Sequence, residues 1–428
     1  MNNFLKIILV FIFINNCSSP FTKKEIEEKE QNNIIEVLKK EKNIDIEFNP
    51  NLKITLKSKT KSKSFLNNFE NNNGRTAFDG DLKIIKKLKF SKIKNFKEYD
   101  PTISFYNNNI IFFDKKGSIL MFNNDAELIW KKNNYTKSEK KQNPILFFAN
   151  NKKIIVIADN ITKYYALDIV TGELIWSKNN TTPFNSQIKI YKDKFFVVDL
   201  QNVLRAYSIK DGKEIWNIKT NNSLIRSQKK LSMVIIKGKV FFNNYSGDIS
   251  AVDIESGELL WQTPTQSNLV TDKGFLLKTS DIIADNERLY FSNNKNQFFS
   301  LDMQTGNLNW MQQINSNLRP IVVDKFIITI SNKGFLYILD RKIGNIIRIN
   351  DLHQEYKSKN KKKIFTTGFF VARNKVYLTN DDGKLIVADL KTGNIISTNK
   401  ISGGKILQPY LYNNNLFIIK NGSIIKYN

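Results

Sequence analysis

Apolar and polar positions alternate in short runs along most of the chain, and one such run keeps returning. In Ala166-Leu167-Asp168-Ile169-Val170-Thr171-Gly172-Glu173-Leu174-Ile175-Trp176, Leu167 and Ile169 stand two apart, the period of a pleated strand. Thr171-Gly172 supplies a turn in which glycine takes positive φ without steric cost. Leu174 and Trp176 restart the alternation, and Asp168 is placed to accept hydrogen bonds from the turn amides.

The pattern recurs through Ser208, Gly212 and Trp216, through Asp253, Gly257 and Trp261, and through Asp302, Gly306 and Trp310. Two further copies, at Asp340-Gly344 and Asp389-Gly393, carry Arg348 and Ser397 in place of tryptophan. A weaker copy ends at Trp130 and lacks the glycine. All five tryptophans therefore share one repeat position, at successive intervals of 46, 40, 45 and 49 residues. A period of that size, with further strand-like runs such as 154–157, 195–198, 240–242, 326–330 and 376–378, predicts a propeller of four-stranded blades. Asn, Asp, Lys and Gly clusters separate the runs, and no amphipathic helix is expected beyond the N-terminal region.

The C-terminal residues 422–428 align with 383–389, so the last blade stops at the repeat's Asp position and lacks its outer strand. Residues 77–84 read as the missing piece, with Asp79-Gly80 as the turn and Ile84 at the Trp position. Seven motif copies and this composite predict an all-β ring of eight antiparallel blades closed by an N-terminal strand, over 76–428; one miscounted segment would leave seven. Closure removes the free edges that invite aggregation. The tryptophans, with Asp168, Gly172, Gly212, Asp253, Gly257, Asp302 and Gly306, are expected to be structural.

Residues 1–16 hold one charge, Lys6, before an apolar run at 7–14 that is too short to span a bilayer and suits a secretory signal. Cys17 follows directly. This resembles a bacterial lipoprotein signal in which Cys17 is acylated, although Asn15-Asn16 stand where small residues are usual. The alternative is an ordinary signal with an incidental cysteine. Residues 17–75 are charged and Asn-rich, the composition of a flexible tether.

The formal net charge of +26 would suggest nucleic acid, but export, the scatter of the lysines and the Lys/Asn/Ile bias argue against it. Anionic lipid headgroups are a weaker expectation. The densest basic stretch, Lys357 to Lys363 in the insertion 352–363, reads as a solvated loop or as a contact for acidic partners. One cysteine and one histidine exclude disulfide frameworks, Cys/His metal sites and a Cys–His nucleophile pair. His353 has no nucleophile-elbow sequence near it, and no glycine-rich phosphate loop occurs. No catalytic residue, metal or cofactor is expected.

The motif Ala-x-Asp-x-x-Thr-Gly-x-x-x-Trp resembles the repeat of PQQ-type propellers, over roughly 77–428. With the lipoprotein-like signal and the blade count, the chain resembles the BamB family of outer-membrane assembly lipoproteins. That resemblance implies a non-enzymatic scaffold on the periplasmic face of the outer membrane, monomeric within a complex. It would bind BamA and other assembly-machinery subunits, and extended barrel precursors as clients. The family's Leu-x-Leu-Arg docking loop maps to Ser223-Leu224-Ile225-Arg226. A second docking loop maps to 275–279, where the family's acidic pair is missing but Leu276 and Leu277 offer apolar contact. The repeat also serves quinoprotein dehydrogenases, so a PQQ-binding enzyme is the alternative, as is a scaffold of another envelope complex. Those dehydrogenases typically carry a vicinal cysteine pair, which this chain cannot form.

Overall fold

Thirty-three strands build eight sheets in the computed structural model, whose described residues are 54–60, 71–72, 74–94, 96, 98–220, 229–265 and 277–428. The stretch expected to be a signal, Cys17 and most of the expected tether lie outside them. So do Leu224, Ile225, Arg226 and Leu276.

The sheets are the blades of an eight-bladed propeller. In chain order they span 104–132, 146–179, 189–219, 233–263, 283–312, 321–351, 366–400, and 406–427 joined by 84–89. Within a blade the strands run antiparallel from the innermost outward. In the second, Leu146–Asn150, Ile154–Asp159, Lys163–Asp168 and Leu174–Asn179 pair in that sequence. The middle strands are apolar on both faces: Ile155, Val156, Ile157, Tyr165 and Leu167 are completely buried. Each face packs on a neighbouring blade, so strands buried on two sides lose the polar alternation of a surface sheet. Outer strands keep it, with Leu174 and Ile175 exposed and Trp176 half-buried.

Every blade carries a one-residue shift where its third and fourth strands meet, as between Leu174 and Trp176. Such a bulge re-aims the side chain that follows it. Here it turns the tryptophan towards the next blade. Asp168 Oδ1 accepts from the Val170 and Thr171 amides at 2.9 and 2.8 Å, and Gly172 holds φ +70°. Asp253 and Asp302 repeat the arrangement.

The ring closes as expected, by Ile84–Lys89 pairing with Ser423–Tyr427, but in a different register. Ile84 faces Tyr427 and Lys86 faces Lys426, which puts Lys86 at the tryptophan position in place of Ile84. The turn position falls on Leu82, at φ +60°, whose amide donates to the Asn428 carbonyl at 2.9 Å just as Gly172 donates to Asp168. Because the two strands come from opposite ends of the chain, no covalent turn fixes their spacing. Hydrogen-bond register decides it.

Two more departures concern the chain outside the repeat. Short helices occur at Lys137–Lys141, with a capping box from Thr136 and Glu139, and at Ser358–Lys361 within the basic insertion. The end of the stretch expected to be a free tether is folded onto the ring. Ile54 is buried beside Leu318 and Ile321, and the Lys57 and Ser58 amides donate to Asp324 Oδ2 at 2.7 and 3.1 Å. Arg75–Thr76 forms a fifth, parallel strand on the inner edge of Thr366–Ala372, on the channel side of the seventh blade.

Candidate functional site

Up-and-down blades give the disc two unlike faces. One carries the repeat turns, such as 168–173. The other carries the connections between blades and the turns between second and third strands. On this second face the central channel opens into a funnel of about 650 Å³.

The funnel is built by residues that stand just before the inner strand of successive blades. Lys229 and Lys230 precede Met233–Ile236, Asp281 precedes Ile283–Ala284, Arg319 precedes Ile321–Val323, and Lys405 precedes Ile406–Tyr412. Inner strands converge on the axis, so whatever precedes them is carried to the channel. Lys229 donates to the Asn317 carbonyl, tying two connections together. Lys405 pairs with Asp100 at 3.0 Å on the rim, and Asp381 accepts the Phe365 amide at 2.9 Å.

Asp281 acts on Lys229, Lys230, Arg319 and Lys189, and Asp100 acts beside it on Lys229 and Lys230. Burial in the funnel pushes the Lys229 ammonium down to about 8 against the pull of Asp281 and Asp100. Lys230 and Arg319 are lowered for the same reason. Lys189 is almost wholly buried and pushed down to about 7, again by desolvation.

Below the funnel the chain's own N-terminal segment enters the channel. Asn71 is completely buried. Its Nδ2 donates to Gln187 Oε1 and to the Met233 and Ile282 carbonyls at 3.1–3.2 Å, and its Oδ1 accepts from Lys189 Nζ at 2.5 Å. Asn72 exchanges hydrogen bonds with the backbone of Val322. Three inner strands and the incoming segment thus share one amide side chain.

Of the two loops expected to dock a partner, Ser223 to Gln228 lies outside the described residues and Phe275 to Thr279 is described only from Leu277; Lys229 and Lys230, which follow the first, and Lys278 of the second line the funnel. Leu277 is buried: it packs over Gly247, where an added Cβ would lie 2.5 Å from Leu277 Cδ2. Its side chain is used inside the disc and is not offered to a partner. Lys278 remains exposed at the rim.

His353 is also interior. It is fully buried against Gly334, edge-on to Tyr356, with Nε2 3.2 Å from Asn380 Oδ1. In the adjoining basic stretch, Lys361 pairs with Asp351 and Lys333 Nζ reaches the Lys362 carbonyl at 2.6 Å. Among the described residues no cluster of three or more His, Cys, Asp or Glu side chains could hold a metal ion, and no helix is long and apolar enough to cross a membrane.

The funnel residues were not singled out by motif because they lie about one repeat apart and differ in type. A signal was nonetheless present: Lys230, Asp281, Arg319 and Lys405 each stand one to three residues before an inner strand. Aligning the copies on those strands, instead of on tryptophan, brings them into register.

Repeat, ring and axial funnel define an eight-bladed propeller of the PQQ-type repeat. The chain belongs to the family described as outer membrane protein assembly factor BamB, which it matches over residues 115–350. The structure of BamB from Moraxella catarrhalis superposes with a TM-score of 0.66 at 17% identity, covering 81% of this chain and 99% of that one. The computationally designed Ika8 protein matches at 0.59 and 12% identity, over 79% of this chain and 99% of that one. The quinohemoprotein alcohol dehydrogenase ADHIIG of Pseudomonas putida HK5 matches at 0.57 and 12% identity, over 81% and 76%. At these identities the likeness is one of fold. No similar protein was found among those with curated functions.

Proposed function

We propose that this protein is a non-enzymatic scaffold of outer-membrane β-barrel assembly, held at the periplasmic face by a lipid on Cys17 and docked on a BamA-like subunit. The observation that carries this reading is the family match over residues 115–350. The funnel face is the docking face in this reading, because Lys229, Lys230 and Lys278, next in the chain to 221–228 and 266–276, line the funnel. Arg226 is the proposed anchor there, flanked by Leu224 and Ile225. The single cysteine precludes the vicinal pair typical of quinoprotein dehydrogenases.

The perimeter suits extended clients. Each outermost strand leaves one edge unpaired, and Leu128, Ile129, Leu174, Ile175, Leu259 and Leu260 are 40–50% exposed along it. Such an edge offers main-chain hydrogen bonds together with apolar contact.

Co-purification from membranes in mild detergent tests the proposal. A BamA-like barrel protein should be recovered with the wild type and lost with Arg226→Glu. Recovery without any such partner would overturn it, and a purified protein carrying a near-ultraviolet chromophore would favour the quinoprotein reading instead.

A further inference from the structure

The connection between the sixth and seventh blades, Leu352 to Phe365, runs over the funnel face and is held from beneath at both ends. Leu352 and His353 are completely buried, Tyr356 donates to Asp382 Oδ2 at 2.9 Å, and Ile364 is buried. The helix Ser358–Lys361 is tied down by Lys361 on Asp351 and by the Lys362 carbonyl, which accepts from Lys333 Nζ. On this ordered mount Lys357, Lys359, Lys362 and Lys363 stand exposed, and the side chain of none of them pairs with another described residue. The neighbouring acids are already engaged. Asp351 takes Lys361, Glu355 accepts from Thr398, Asp381 accepts the Phe365 amide, and Asp382 holds Tyr356 with Lys384 3.8 Å away. Phe365 is 46% exposed at the funnel wall, with Lys333 Nζ 3.8 Å from its ring centroid. Like charges set this close repel one another, and the four lysines return no ion pair to the ring.

We propose that this connection is a docking surface for a carboxylate-rich patch on a folded protein partner, with Phe365 as its apolar anchor. The inference rests on the scaffold reading. Phe365 lines the same funnel as Lys229, Lys230 and Lys278, so a subunit seated on that face reaches it. Exposed cations steer an acidic partner and set the salt dependence of binding, whereas an aromatic side chain adds contact that is lost only on dissociation. A protein surface is favoured over a lipid sheet because Phe365 belongs to the wall of a concave mouth, which a shaped partner enters and a flat bilayer does not.

The test is the binding of the full chain to the barrel subunit recovered with it from membranes, followed as association and dissociation rates at about 0.05 and 0.5 M salt. Lys357→Gln, Lys359→Gln, Lys362→Gln and Lys363→Gln combined should slow association roughly tenfold at low salt and leave the high-salt rate unchanged. The four side chains make no polar contact with the described residues, so the fold does not depend on them. Phe365→Ala should instead raise the dissociation rate roughly tenfold at both salt concentrations. Association unaltered by the lysine changes, or dissociation unaltered by Phe365→Ala, would overturn this proposal alone. A wild type that recovers no barrel subunit would overturn the scaffold reading and this one with it. Wild type sedimenting more with phosphatidylglycerol than with phosphatidylcholine vesicles, a preference lost in the lysine variant while its partner rates stay the same, would assign the lysines to lipid and overturn the proposal too.

Discussion

The indole of Trp176 lies over Gly212 of the neighbouring blade, and its Nε1 donates to the Ile209 carbonyl at 3.0 Å. The same relation joins Trp261 to Gly306 and Met303, and Trp310 to Gly344 and Arg341. Where tryptophan is missing, Arg348 donates to the Lys391 carbonyl and Asn350 covers Gly393. Blade-to-blade contact at the perimeter is therefore an indole or its substitute on a glycine; Trp176, Trp261, Trp310 and Arg348 add a hydrogen bond, whereas the buried Nε1 of Trp130 and of Trp216 makes none.

Gly212→Ala should be severely destabilising. The residue sits at φ +67°, and a Cβ there would stand 2.7 Å from the Trp176 ring. Left-handed strain and overpacking together cost about 3 kcal/mol. Gly238→Ala, at φ +72° with nothing within 4 Å, should lose only the strain, about 1 kcal/mol. Chemical denaturation of both variants measures the difference; equal losses would show that the indole contact contributes nothing.

Asn71→Ala should loosen the N-terminal segment from the channel. The change leaves Lys189 and the Ile282 and Met233 carbonyls without their amide partner in a buried place, at a cost of about 2 kcal/mol. Limited proteolysis should then cut between residues 54 and 76 faster than in the wild type, with the ring itself intact. An unchanged cleavage rate would contradict this role.

Stability should decline in mild acid because of His353. Burial holds its imidazole below the usual 6.5, so the folded state keeps it neutral. Below that value the unfolded chain binds a proton that the folded chain does not, and unfolding free energy falls as pH drops. Urea titrations at pH 7.5 and 5.5 should show the drop. His353→Phe should reduce it, and an identical drop in that variant would assign it to other groups.

A chain beginning at residue 91 should self-associate. It would leave the edge of Ser423–Tyr427 unpaired, with Ile424, Ile425 and Tyr427 no longer covered by Ile84–Lys89. Light scattering after size exclusion should find larger species for the truncated chain than for the full chain run beside it, and equal masses would contradict this.

The hairpin, its period and the eight blades were legible along the chain because they rest on local facts. Alternation of two, a glycine at positive φ and an aspartate capping its own turn all act within a dozen residues. From that unit the ring, the repeat position of the tryptophans and the structural part played by Asp168 and Gly172 follow. Register at the closure did not, since Leu82 and Lys86 take their places from hydrogen bonds to a strand some 340 residues away. Nor did the funnel, because Lys229, Lys230, Asp281 and Arg319 meet only when inner strands of different blades converge on one axis. Asn71 shows the same divide. In sequence it is one asparagine in a polar stretch, and only the ring supplies the carbonyls and the lysine that hold it. Local chemistry determined the blade and its number; convergence of distant residues in three dimensions decided how the ring closes and which side chains meet at its centre.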